Sequence, residues 1–261
     1  MGLKLGTDQI HRQKIPGSSV IYIPSGKYLK VMTFGFSSVI ADLIYLWTIQ
    51  YYSDNSIADR FDYLEHILSV ISELDPRYVD PYEVCALIAA AEAKNVDLAL
   101  KILDRGLEKN PDQWIFPFEA GHIAQTAKRD FQLAQAYYKK AMAIKGAPDI
   151  LTRLYANAAY KTMDFRTSWE TWLEVYRTTK DERVKKIASN HLYQVKAAVD
   201  LNALQSAISK FKEKFGQNPQ DLSQLVAEGF LTSIPQDFDA RNYVYDPQTG
   251  EVKSAIIPWK R

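Results

Sequence analysis

Arg153 and Asn157 stand four residues apart, and Lys186 and Asn190 repeat that spacing. On a helix, residues i and i+4 share a face. Each pair would therefore set a cation beside a carboxamide. That combination suits recognition more than bond-making. The cation attracts a carboxylate, and the amide bonds the carboxylate or a partner's backbone. Tyr160 could line the same surface, as could Trp114. The expected partner-binding residues are Arg153, Asn157, Tyr160, Lys186 and Asn190.

The rest of the sequence offers little chemistry. His11, His66, His122 and His191 are scattered, with no pair at ligand spacing. No Gly-rich phosphate loop or nucleophile elbow occurs. Ser25-Gly26-Lys27 lacks the upstream glycines and the following Ser or Thr of a phosphate loop. Glu65, Glu92 and Glu170 fall on predicted helix surfaces, where solvation is the default. The expectation is a non-enzyme with no catalytic residue, metal or cofactor.

The elements that would position these residues are written in a period. Phe61, Leu64, Leu68 and Ile71 share a register with Val96, Ala99, Leu103 and Gly106. Phe131, Ala134, Tyr138 and Ala141 continue it, and so do Phe165, Ser168, Trp172 and Val175. Corresponding positions lie 35, 35 and 34 residues apart. Each segment is apolar along one helical face. Asn95, Asp130 and Asp164 precede three of them as capping residues. Helix pairs are predicted at 36–52 with 58–74, 80–93 with 96–109, 114–127 with 130–144, and 149–162 with 165–178. Such pairs are too short to bury their own stripes, so they stack. Residues 181–215 read as one or two further helices. Beyond them, Tyr243-Val244-Tyr245 and Glu251 to Ser254 flank Asp-Pro-x-x-Gly and read as a β-hairpin.

Composition excludes some classes. The formal net charge of +1 gives no general electrostatic reason to bind nucleic acid. The single cysteine, Cys85, cannot form an intramolecular disulfide, and its apolar context predicts a buried thiol. Met1 to Lys14 has no apolar signal core. Val31 to Tyr52 is long enough to span a bilayer, but Asp42 near its middle argues for a buried first helix instead.

The period, with a small residue and then a large apolar one four later, resembles tetratricopeptide (TPR) repeats over residues 36–178. The resemblance implies an all-α, TPR-like helical-hairpin solenoid whose first helices line a concave groove. Lys or Arg with Asn there resembles the carboxylate clamp of some TPR domains. Tyr22 to Lys30 with Ala41 to Tyr52 is similar to a group of bacterial TPR proteins that often carry an N-terminal anchor and face the periplasm. Gly216, Pro219, Leu222, Leu225, Gly229, Ile234, Pro235, Asp237, Tyr243, Tyr245, Asp246, Gly250, Val252 and Ser254 resemble the globular region of type II secretion pseudopilins. Some of those bind calcium, and Asp237, Asp239 and Asp246 could supply oxygen ligands.

These readings give three expected parts: an extended lead-in at 1–33, the helical solenoid at 34–199, and a small C-terminal α+β module at 200–261. The expected function is a TPR scaffold or adaptor binding a protein or peptide in its groove, within a bacterial envelope assembly related to secretion or pili. The alternative is a structural subunit permanently buried in a large complex or filament. No nucleic-acid partner is expected. Membrane association would run through an anchor that this sequence lacks. A periplasm-facing location is expected, with the cytoplasm as the alternative.

Overall fold

The computed structural model describes residues 23–54, 57 and 59–256. His11, the segment 1–14 and most of the stretch 18–24 lie outside the described residues. The fold is all-α with one small sheet: successive helical hairpins, as expected, followed by a C-terminal α+β module. The chain forms two compact units. The first comprises residues up to Asp130 with 143–147, and the second 131–142 with everything from Pro148 onward.

In the first unit, helix α1 is Gly26–Met32, α2 Ser37–Ser53, α3 Leu64–Leu74, α4 Val79–Ala91, α5 Val96–Lys109 and α6 Ile115–Ile123. Packing joins α1 and α2 to α3, α4 to α5, and α5 to α6. The Asn95 side chain accepts a hydrogen bond from the Leu98 amide at 3.1 Å, as its position before the apolar stripe predicts. A π-helical turn, Ala124–Lys128, extends α6. It ends at Arg129, whose φ of 56° stops the helix.

Two expectations for this unit are corrected. Residues 26–32 of the extended lead-in are helical. Gly26 lets α1 lie directly on α3, where a Cβ would come within 2.5 Å of Glu73 Cβ. The Glu73 carboxylate then accepts the Lys27 amide at 2.8 Å. Helix α2 is not a buried helix. It buries Ala41, Tyr45, Thr48, Tyr51 and Tyr52, while Val39, Leu43 and Leu46 face solvent.

Gly106 sits where α5 meets α6. A Cβ there would approach the Phe116 ring to 2.7 Å, and Phe116 is fully buried. Gly106→Val should therefore destabilise the first unit by about 1–3 kcal/mol, the usual cost of overpacking. A lowered thermal midpoint by circular dichroism is the expected result; an unchanged midpoint would refute the close approach.

In the second unit, α7 is Phe131–Met142, α8 Ile150–Lys161, α9 Phe165–Thr178 and α10 Glu182–Phe215. Each packs on the next. Asp164 caps α9 by accepting the Thr167 amide at 3.1 Å. Helix α10 is a single helix of 34 residues, so it runs unbroken through position 200. No Gly or Pro interrupts it, and Gly216 ends it at a φ of 73°.

The first half of α10 packs on α8 and α9 around Ala156, Trp172, Val175, Ala188, Leu192 and Val195. Its second half carries the module through Leu204, Ala207, Ile208 and Phe211, against Leu225, Tyr243 and Val252. The module adds the short helix α11 (Ser223–Ala227) and strands β1 (Val244–Asp246) and β2 (Glu251–Lys253). The strands are antiparallel, with Tyr245 opposite Val252, which confirms the expected hairpin. Asp246 makes its turn by accepting the Gln248 amide at 2.9 Å and the Thr249 hydroxyl at 3.0 Å.

Candidate functional site

The residues expected to bind a partner all lie on the second unit, but the structure does not gather them in one cleft. Arg153 lines a cleft of about 540 Å³ with Thr152, Val175, Val184 and three carboxylates, Asp149, Glu174 and Asp181. One guanidinium among three carboxylates is a poor receptor for an anion. Asp181 is also engaged as the cap of α10, accepting the Arg183 amide at 2.8 Å. Asn157 is half-buried on α8 and is not among the residues lining that cleft.

Lys186 and Asn190 line a different cleft, of about 570 Å³, with Tyr176, Glu182, Lys185 and Ser189. Glu182 is paired with Lys185 at 3.7 Å, and the Lys185 ammonium also lies 5.6 Å from the Tyr176 ring centre. Lys186 is not ion-paired with any described residue. Asn190 is buried one helical turn further along. The excess positive charge of this cleft therefore rests on Lys186, with a carboxamide beside it.

Tyr160 packs elsewhere. Its ring lies 5.7 Å from that of Phe165 and covers the core around Trp172. Trp114 belongs to the first unit, edge-on to Phe118 at 5.9 Å. A third cleft, of about 430 Å³, was not foreseen. It is mostly apolar, with Phe165, Trp169, Val195 and Val199 along it. The ion pairs Arg166–Glu170 (2.9 Å) and Lys196–Asp200 (2.6 Å) use residues of the same cleft. Of its residues the sequence places only Phe165, on a buried helix face, and Glu170, on a helix surface.

No family model matches this sequence. No curated protein matches it either. Among solved structures, a chain from "Structure of Naa15/Naa10 bound to HypK-THB" is similar at a TM-score of 0.42 and 16% identity. The match covers 72% of this chain and 29% of that one, so this chain spans less than a third of that chain's length.

The remaining candidates have structural roles. Cys85 is fully buried, and burial pushes its thiol up to about 12. His66 contacts the Ile23 carbonyl at 3.0 Å, His122 stacks on Phe118, and His191 stacks on Trp172 at 4.0 Å. Glu65 pairs with Lys101 at 2.5 Å.

The calcium ligand set is not assembled. Asp237 is enclosed and already bonded to Tyr193, Asp239 and Arg241, while Asp246 serves its own turn. Among the described residues no group of three His, Cys, Asp or Glu is placed to hold a metal ion.

Proposed function

We propose that the chain is a non-enzymatic scaffold that binds a protein or peptide, and that its second unit takes the partner's carboxylate at Lys186 and Asn190. The observation that supports this is the cleft around Lys186, where a cation not ion-paired with any described residue stands beside a buried carboxamide. Helical hairpins expose the faces of their helices along the array, which suits them to extended peptides. A carboxylate arriving at Lys186 would form a charge-assisted hydrogen bond. Arg153 and Asn157 make at most a second contact, because carboxylates surround the guanidinium.

The test uses an array of short peptides in two forms, with a free C-terminal carboxylate and with a C-terminal amide. Peptides that bind should lose about tenfold to a hundredfold in affinity on amidation, the range for a hydrogen bond to a charged group. Lys186→Glu should lose a similar amount, and Arg153→Glu distinctly less. Equal binding of the amidated peptides would remove the carboxylate reading.

The setting we propose is a bacterial envelope assembly related to secretion or pili, facing the periplasm. It rests on the resemblances of residues 22–52 and 200–254. Fractionation of the source cell, with the protein found wholly in the cytosol, would overturn it.

A further inference from the structure

The turn that joins α1 to α2 is built against the usual rule for apolar side chains. Phe34 is 91% exposed, Val31 80%, Tyr28 74% and Phe36 68%. Leu43 and Leu46 continue the apolar surface along α2. Phe34 also holds a φ of 47°, a left-handed conformation that a bulky side chain rarely adopts. The left-handed residue ends α1, as Arg129 and Gly216 end their helices, but that role does not call for an aromatic ring in water.

We propose that this turn inserts into the surface of an anionic lipid bilayer. The apolar residues stand exposed on and beside a turn between two helices, an arrangement that a fluid bilayer accepts without a preformed pocket. Lys27 and Lys30 sit on α1 behind the tip, and neither is ion-paired with a described residue. This places cations at headgroup depth when the aromatic rings enter the acyl boundary. No charged residue interrupts the sequence from Val31 to Ala41. Asp42 is exposed at the next position, near enough to Tyr78 that its charge helps to raise that hydroxyl, behind burial. The insertion is interfacial, since no described helix is long and apolar enough to cross a membrane.

The experiment is co-sedimentation of the full chain with vesicles of phosphatidylcholine alone and of phosphatidylcholine with phosphatidylglycerol. The expected result is binding to the anionic vesicles that weakens as salt rises. Phe34→Asp/Phe36→Asp should reduce it at least tenfold, and Lys27→Glu/Lys30→Glu should remove the preference for anionic lipid. Both pairs are exposed, so helicity by circular dichroism should not change. Wild-type protein that stays in the supernatant with both vesicles overturns the proposal. So does equal sedimentation of the Phe34→Asp/Phe36→Asp variant. Self-association that depends on Phe34, without vesicle binding, would give the surface to a second copy and likewise overturn it.

Discussion

Trp172→Ala should destabilise the second unit by about 3–5 kcal/mol, the range for deleting a fully buried aromatic side chain. Trp172 is 2% exposed at the centre of the core shared by α8, α9 and α10. Its ring stacks on His191 at 4.0 Å and 13°. Its indole nitrogen is buried with no hydrogen-bond partner among the described residues. That orphan donor already costs stability. Trp172→Phe removes the donor and keeps most of the apolar contact, so it should cost distinctly less than alanine. Urea denaturation followed by circular dichroism would measure both, and equal losses would show that the ring contact kept by phenylalanine contributes nothing.

A pH signature accompanies this core. Burial holds the His191 imidazole below its ordinary value, with a hydrogen bond to Gln194 pulling weakly the other way. A lowered folded value means that the unfolded chain takes up the proton first. The contribution is complete above about pH 6.5 and is lost as pH falls through the lowered value. The wild type should weaken across that window. Trp172→Ala opens the site to water and should flatten the dependence.

The second large effect is expected at Asp237. Its side chain is 3% exposed. One oxygen accepts the amides of Asp239 at 2.9 Å and Arg241 at 2.8 Å. The other accepts the Tyr193 hydroxyl at 2.8 Å and Arg241 Nε at 3.1 Å. The carboxylate thereby fastens the loop before β1 to α10. Asp237→Ala would leave these donors without their acceptor, at a cost of about 3 kcal/mol.

Burial alone would raise the Asp237 carboxyl, but the bonds from Arg241, Tyr193 and Asp239 together hold it below the usual carboxylate range. Its contribution is therefore present at neutral pH and is lost only as pH falls below about 4. Hydrogen exchange should show the module opening first in acid. In Asp237→Ala the module should already exchange fast at pH 7. Unaltered protection there would mean that the loop is held by apolar contacts alone.

The helical pairs were legible because a repeated apolar face constrains many positions at once. The helix predicted at 96–109 is observed at Val96–Lys109, and the one predicted at 165–178 at Phe165–Thr178. The hairpin was legible from Asp246 and Gly250, whose turn chemistry is local. Helix α1 was not, because its formation depends on the distant Glu73 and on a close contact at Gly26. The exposed side of α2 was misread because apolarity states a preference for leaving water, not whether a partner is present.

At the site, spacing found two i, i+4 pairs but not the surroundings of Arg153, where the cap of its own helix, Asp149, is joined by Glu174 of α9 and Asp181, the cap of α10. Asp237 was noticed as a calcium ligand. Its true partner, Tyr193, is 44 residues away in sequence and could not be inferred from the loop.

Helix α10 belongs to two hydrophobic cores at once. At about 1.5 Å per residue it is roughly 50 Å long. A rigid rod shared in this way acts as a transmission shaft. A rotation imposed on the module at one end turns the helix face that carries Lys186 and Asn190 at the other. No Gly or Pro lies along its length to bend it. The terminal module is therefore a handle on the same shaft as the cleft, since both ride on one unbroken helix.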